Sequence, residues 1–418
     1  MQYGYFDDEE KEYVITSPDT PRSWSNYLGS TGYGAIITNN AGGYSFYKSG
    51  GQGRFTRMRF NAVPMDQPGR YIYIRDKESA DYWSASWQPV GKSLRTYKNS
   101  CRHGAAYTII ESDYAEIKSE TCYFVPLNQH FEVWRLKLTN TSSRIRRLSL
   151  FTFVEYANNW NAMDDLLNLQ YTQYTGKMDV VDGIISHGTN VHIPEMPDNF
   201  NEKDQGRYSF MAFTGGEIVG YETDLEKFLG SYRTYANPQV VDDGRCSNSL
   251  AVGDNMCGVL QIDPVLEPGE TKEFVVLMGV GKAESTGKQV VKEFGNSERL
   301  DAEFDKLKSY WHNRITGITV KTPDPEFNSM LNMWSPYNCL ITYAWSRAAS
   351  LVYTASERDG LGYRDSVQDL LGVMHNITDE AKTRLELMIT GQVSTGGAMP
   401  VVSKVNHKPG KESAPAES

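Results

Sequence analysis

From the N-terminus to about Gly281, apolar residues recur in short alternating runs that stop at turn-forming residues. Arg70-Tyr71-Ile72-Tyr73-Ile74-Arg75 alternates and is rich in β-formers. Trp134, Leu136 and Leu138 alternate with Arg135 and Lys137, the pattern of a half-buried strand. Asn140-Thr141-Ser142-Ser143 turns the chain into a second run, Leu148 to Val154, and Leu266-Glu267-Pro268-Gly269-Glu270 precedes a third, Phe274 to Leu277. Many short strands with Gly, Pro and Asn punctuation predict a large antiparallel β-sandwich. Two stretches break the pattern and are expected to be loops. Asn39 to Tyr47 is hinged by glycines and tipped by aromatics, and Trp160 to Gln170 is crowded with amides and acids.

Near Ala283 the period changes. Leu300, Phe304, Leu307 and Trp311 form one helical stripe opposite a charged face. After Pro323 and Pro325 a second helix is expected, with Phe327, Met330, Leu331 and Trp334 on one side. It continues through Tyr337, Leu340, Ile341 and Tyr343 as a buried element. Thr378 is a candidate N-cap for a further helix, with Asp379 and Glu380 in its first turn and Leu385, Met388 and Ile389 on its core face. The predicted architecture is multidomain β plus α. A sandwich covers 1–282, a helical linker 283–322, and the opening of an all-α domain 323–418. That last stretch is too short for twelve helices of about 11–12 residues plus connections. The Pro/Ala/Ser/Glu-rich end, His407 to Ser418, is expected to be a loop cut short.

Composition narrows the function. Net charge is −10 without a basic stripe, which argues against nucleic acid as a partner. No apolar run approaches the ~20 residues of a membrane helix. Met1-Gln2-Tyr3-Gly4 does not begin a signal peptide, so the expected location is cytoplasmic. The five cysteines are scattered and read as buried thiols. The histidines show no metal-ligand spacing, so no metal or cofactor is expected.

The chemistry concentrates between Glu357 and Gly372. Two arginines, three aspartates and a glutamine fall between Arg358 and Asp369, beside Gly360 and Gly362 and just before an apolar run. Glycines free the backbone there, so a loop entering a helix is expected. Arginine supplies a rigid fork of donors and aspartate two acceptor oxygens, the mixture a hydroxyl-rich sugar ring requires. The competing explanation is a set of local salt bridges and caps at a helix start.

Arg358-Asp359-Gly360-Leu361-Gly362-Tyr363-Arg364-Asp365-Ser366-Val367-Gln368-Asp369 resembles the glucosyl-site motif of the inverting disaccharide phosphorylases of glycoside hydrolase family 94, of the cellobiose and N,N′-diacetylchitobiose types. The resemblance runs the length of the chain, through Tyr3 to Asp8, Glu12 to Thr16, Asn26 to Gly29, Asn40 to Tyr47, Arg102-His103-Gly104 and Gly244 to Ser249. It implies that the helices open an (α/α)6 barrel. It implies that Arg358 and Asp365 bind hydroxyls of the non-reducing sugar, with Arg364, Gln368 and Asp369 beside them. Tyr47 and Gln170 become candidate contacts lent to the acceptor subsite of a partner in a homodimer.

An inverting phosphorylase needs one carboxylic acid to protonate the leaving oxygen, and inorganic phosphate, the co-substrate, attacks the opposite ring face. By the resemblance, both the acid and the phosphate ligands are expected beyond Ser418, leaving no catalytic residue in this chain, which is then expected to be inactive alone. Asp365 is read as a hydroxyl acceptor and not as the acid, because a carboxylate beside arginines favours its charged form. Trp160 to Asp165 resembles the cellobiose enzymes; Gly244 to Ser249 and the Arg358–Asp365 spacing resemble the chitobiose type. Cellobiose is the favoured substrate, with N,N′-diacetylchitobiose, laminaribiose and cellobionic acid as alternatives. A non-catalytic carbohydrate-binding sandwich and a hydrolase are the competing classes.

Overall fold

The computed structural model describes residues 2–30, 32–59, 63–162, 165, 173–190, 206–345, 361–398 and 401–403. The largest sheet has ten strands. In spatial order they are Gly4–Asp7, Glu12–Ile15, Lys98–Gly104, Tyr107–Tyr114, Ile117–Phe124, Phe131–Asn140, Thr271–Val280, Gly206–Thr214, Ile184–Asn190 and Gly176–Val181. A second sheet faces it, running Ile218–Asp224, Met256–Ile262, Arg146–Glu155, Tyr71–Asp76 and Tyr82–Ser84, with Val265–Leu266 paired to Arg146–Glu155. Three strands, Ser25–Gly29, Tyr33–Thr38 and Gly43–Tyr47, form a smaller sheet. Neighbouring strands in these sheets pair antiparallel, so the predicted large sandwich is the observed one.

Strand Phe131–Asn140 shows how the pleat distributes its residues. Trp134, Leu136 and Leu138 point into the core shared with the second sheet, beside Tyr123, Leu148, Phe153 and Met278. Phe131 and Val133 point the other way, into a second core built with the helices. Arg135 lies on that outer face and binds Glu273, with Nε–Oε2 2.8 Å, and Asp301.

The first long helix, α1 (Ser297–Ile315), lies on this outer face. Asn296 caps it, its Oδ1 accepting from Arg299 N at 2.8 Å. Leu300, Leu307 and Trp311 are buried as the stripe predicts, and Phe304 packs edge-on against Tyr107 and Phe124.

The next helical run departs from expectation. Phe327, Met330 and Leu331 are exposed, while Met333, Tyr337, Leu340, Ile341 and Trp345 are buried. The cause is a π-helical turn over Met330–Trp334, between a short helix Pro325–Ser329 and α2 (Ser335–Trp345). An extra residue in that turn rotates the following face by about 100° relative to a regular helix.

Three further expectations are corrected. Gly43–Tyr47 is a strand with Tyr44, Ser45 and Phe46 fully buried, not a loop. Gly43 adopts φ 107°, and a Cβ there would lie 2.1 Å from Ile36 O, so its glycine serves a close strand approach. Helix α3 (Tyr363–Leu371) is followed by α4 (Thr378–Ile389), in which Thr378 is the first helical residue and no cap. Its hydroxyl donates back to Met374 O at 2.8 Å. The buried face of α4 is Ala381, Arg384 and Met388, spaced i, i+3, i+7, which leaves Leu385 and Ile389 one position round and exposed.

The sandwich holds α2 by buried polar contacts. Asn26 Nδ2 donates to Gly104 O (2.8 Å) and Tyr107 O (2.7 Å), while its Oδ1 accepts from Tyr337 Oη at 3.0 Å. Tyr337 Oη in turn accepts from Ala106 N at 3.0 Å. At the other end of α2, Trp345 Nε1 donates to Ser30 O at 3.1 Å, with Tyr27 and Phe46 against its ring. The chain thus leaves α2 from a fixed point and returns at Leu361.

Candidate active site

Leu361–Gly362 pairs with Val401–Ser403, and the turn into α3 follows at once. Gly362 is extended (φ −65°, ψ 133°) and offers no side-chain cap, so the first-turn carboxylate is that of Asp365. The underside of α3 is apolar. Leu361, Met388 and Val402 form a small core against which Tyr363 and Val367 pack, and Ser366 and Leu370 are buried. With that face pinned, Arg364 and Gln368 form one exposed row, four residues apart, and Asp365 and Asp369 a half-buried row beside it. The structure therefore brings together four of the five predicted substrate residues on one helix. Arg358 and Gln170 lie outside the described residues.

The half-buried row faces its own surroundings. Asp369 sits in the seam between α2, α3 and α4. Burial pulls the Arg384 guanidinium below the usual arginine range, and Tyr343, Asp369 and Glu380 partly restore it. Arg384 Nη1 donates to Tyr343 O at 3.2 Å and the guanidinium lies 4.5 Å from the Tyr343 ring centre. Burial raises the Cys339 thiol, and Asp369 raises it further. Arg384 is the residue that sequence reasoning missed. Its signal, a cation inside the apolar stripe of α4, reads locally as a surface residue.

Tyr47 ends the strand Gly43–Tyr47, half-buried, with its ring edge-on to His130 at 5.1 Å and Lys48 4.9 Å from its centre. It lies on the same small sheet as Phe46, but Phe46 faces Trp345 and the helices, whereas Tyr47 packs against the core between the sheets.

Of the stretch that begins at Trp160, the described residues 160–162 and 165 are anchored. Trp160 is buried, with Arg207 5.4 Å from its ring centre. Asp165 is also buried and takes a two-point ion pair from Arg57, Nε–Oδ2 3.0 Å and Nη2–Oδ1 2.9 Å. Asn158 N and Asn159 N donate to Asp165 Oδ1, and Arg57 Nη1 also binds Glu155 Oε1 at 3.1 Å.

Two other stretches singled out in the sequence are likewise scaffold. Glu222 is fully buried and accepts from the backbone and hydroxyls of Ser247 and Ser249, which fixes Gly244 to Ser249. His103 bonds Thr108 and Trp24 O, and a Cβ at Gly104 would lie 2.1 Å from the Tyr107 ring. Among the described residues no three His, Cys, Asp or Glu side chains converge as a metal site would require, and no helix is long and apolar enough to cross a membrane.

This architecture, a supersandwich running into helices that display a polar row, matches two family models. The supersandwich domain of glycosyl hydrolase 94 covers residues 11–297, and the catalytic domain of the glycosyl hydrolase 94 superfamily covers 310–416. The chain belongs to glycosyl hydrolase family 94. It is similar to the N,N′-diacetylchitobiose phosphorylase of Vibrio proteolyticus, 37% identical over 419 residues, covering 100% of this chain and 50% of the relative. The enzyme of the same name from Vibrio furnissii is 37% identical over 396 residues, covering 95% and 48%. The chain spans about half the length of these curated relatives. Among solved structures, a bacterial glucoamylase complexed with acarbose shares the fold, with TM-score 0.50, 10% identity, and 95% of this chain and 56% of that one covered.

Proposed function

We propose that the chain forms the sandwich and the opening barrel helices of an inverting disaccharide phosphorylase, divided at 1–282, 283–322 and 323–418. The observation that carries this is continuous similarity to such enzymes from end to end of the chain. The α3 row of Arg364, Asp365 and Gln368, completed by Arg358, binds the hydroxyls of the non-reducing sugar. Asp369, held toward Arg384, supports that row from behind. Phosphate attacks the anomeric carbon from the face opposite the leaving oxygen, and a carboxylic acid outside this chain protonates that oxygen. No cofactor takes part. The working form is a cytoplasmic homodimer, with Tyr47 and Gln170 lent to the partner's acceptor subsite.

For the substrate, N,N′-diacetylchitobiose is the first reading, because both Vibrio relatives bear that name over at least 95% of the chain. Cellobiose is the second, carried by the Trp160–Asp165 resemblance. Trp160 and Asp165 are buried, and Ser247 and Ser249 are tied to the buried Glu222, which speaks for a structural part in both stretches. The test is synthesis in reverse by the complete gene product, offered N-acetylglucosamine 1-phosphate or glucose 1-phosphate with each free sugar as acceptor. Preferential use of N-acetylglucosamine 1-phosphate is expected. Preference for glucose 1-phosphate would restore cellobiose, and use of neither donor would remove the phosphorylase reading.

A further inference from the structure

Three helices meet at one side chain. Arg384 sits on the inward face of α4, between Ala381 and Met388, and is 9% exposed. A cation at such a position costs stability that an apolar residue would not, because burial disfavours the charge. Its retention there is explained by what the guanidinium holds.

The first thing it holds is the end of α2. The last carbonyls of a helix have no partner within it, and α2 has no basic residue of its own in its last turn. Arg384 Nη1 supplies the donor, to Tyr343 O at 3.2 Å, with the guanidinium 4.5 Å from the Tyr343 ring centre. The same tyrosine is fastened at its far end, where Oη donates to Glu380 O at 3.2 Å, one turn earlier on α4.

The third side is α3. A Cβ at Gly372 would lie 2.9 Å from Cys339 Sγ, so the end of α3 packs directly on α2. Asp369, one turn before Gly372, acts on both the Cys339 thiol and the Arg384 guanidinium, which places its carboxyl toward the junction of α2 and α4. Glu380, the other carboxylate that acts on Arg384, is bound by Arg314 of α1, with Nη2–Oε2 2.8 Å. One turn further along α4, Met388 packs with Leu361, just before α3 begins. One face of α4 thus fixes the end of α2 and the start of α3, and faces the half-buried row behind Arg364 and Gln368.

We propose that Arg384 is a positioning residue for sugar binding. Its guanidinium ties Asp369 to the end of α2 and so sets where α3 presents Arg364, Asp365 and Gln368. Buried in the seam, it acts through α3 and not on the sugar itself. The proposal rests on the phosphorylase reading and gives Arg384 a part in substrate affinity. Displacing groups that orient a substrate by about 1 Å can cost as much as a hundred-fold in rate, so a residue behind the row can matter as much as one within it.

The test is initial-rate kinetics on the complete gene product, varying phosphate and the disaccharide separately, with N,N′-diacetylchitobiose and cellobiose as the disaccharides. Arg384→Met is expected to raise KM for the disaccharide about ten-fold or more and to leave KM for phosphate within about three-fold. Arg384→Lys keeps the cation and is expected to recover most of that loss. Arg384→Gln keeps a donor for Tyr343 O without the charge and is expected not to. These two variants carry the test if Arg384→Met does not fold. Asp369→Asn combined with Arg384→Met is expected to add little to the larger single effect, because both remove the same contact. An unchanged disaccharide KM with a lowered Tm makes Arg384 a residue of the scaffold only and overturns the proposal, and so do effects of the two substitutions that add. A parent enzyme that cleaves neither disaccharide with phosphate removes the phosphorylase reading and the proposal with it. A parent that cleaves one, with variants that keep its KM, overturns the proposal alone.

Discussion

The junction of the three sheets rests on one buried ion pair, Arg70 with Glu132, and its removal has a calculable consequence. Both side chains are at most 2% exposed. Arg70 Nε meets Glu132 Oε1 at 2.9 Å, Nη1 donates to Ile36 O at 2.9 Å and Nη2 to Ser45 Oγ at 2.7 Å. Ser45 Oγ donates on to Glu132 Oε2 at 2.8 Å, and Trp134 Nε1 to Oε1 at 2.8 Å. Arg70→Met leaves a carboxylate in the core with two neutral donors and no cation. Breaking such a pair from one side destabilises by about 3–5 kcal/mol. Glu132→Leu strands the guanidinium and falls in the same range. The double variant removes both charges and is left only with unsatisfied neutral groups, such as the Trp134 N–H, at about 1–3 kcal/mol each. The singles should therefore sum to more than the double, with a coupling of several kcal/mol. Urea unfolding followed by tryptophan fluorescence measures all four corners of the cycle. If either single loses less than about 1 kcal/mol, or if the singles add up to the double, the pair is not what ties the sheets together.

Other consequences concern pH, packing and the attachment of α2. Burial pushes His103 down to about 4, with Trp24 O opposing, and His187 down to about 3, with Arg57 adding to the fall. Both stay neutral in the fold while the unfolded chain takes up protons near pH 6.5, so their contribution is complete above that value. It is lost as pH drops toward 4 and 3, at about 1.4 kcal/mol per unit per histidine. Thermal unfolding at pH 7 and pH 5 should show a smaller difference for His187→Gln than for the parent; equal differences would remove His187 from the account. Gly104→Ala drives a methyl into the Tyr107 ring, whose hydroxyl is held by Glu12 at 2.7 Å. A loss of about 1–3 kcal/mol is expected in urea unfolding, and a neutral result would mean the ring moves freely. Tyr337→Phe leaves the buried Ala106 N–H unsatisfied, at about 1–3 kcal/mol. Hydrogen exchange across Ser335–Trp345 should accelerate, and unchanged protection would show that packing alone holds α2.

How much of this was legible in the sequence depended on the range of the interactions. Period-2 runs such as Trp134-Leu136-Leu138 and the stripe Leu300-Leu307-Trp311 report local geometry, and the structure reproduces them. Tyr337, Leu340 and Ile341 of α2 are buried as expected, but Phe327, Met330 and Leu331 before it are exposed, because a single π-helical turn shifts the phase between the two segments and the apolar run shows no trace of that turn. Asn39 to Tyr47 looked like a loop because Gly42 and Gly43 are ambiguous: a glycine that frees a turn and one that admits a neighbouring strand are the same letter. The ion pairs were beyond local reading. Arg57 and Asp165 are 108 residues apart, and Arg70 and Glu132 are 62 apart. Nothing near either partner announces the other.

The same distinction bears on what family resemblance can carry. Arg102-His103-Gly104, Gly244 to Ser249, Asn26 and Asp165 all lie in stretches that made the family recognisable, and all are tied to the scaffold: His103, Asn26 and Asp165 are buried, and the more exposed Arg102, Ser247 and Ser249 are held by carboxylates. Arg102 bridges Glu111 and Glu12, Asn26 fastens the sheet to Tyr337, and Glu222 clamps Ser247 and Ser249. Substitution at such positions is expected to weaken the scaffold whatever the sugar. They transmit the fold and are silent about the ring that binds. The α3 row differs in kind, since Arg364 and Gln368 are exposed on a helix whose other face is pinned by Leu361, Met388 and Val402. Exposed polar residues on a fixed apolar footing can change without endangering the core. Under the proposed reading, specificity between a hydroxyl and an acetamido group is to be sought on that face.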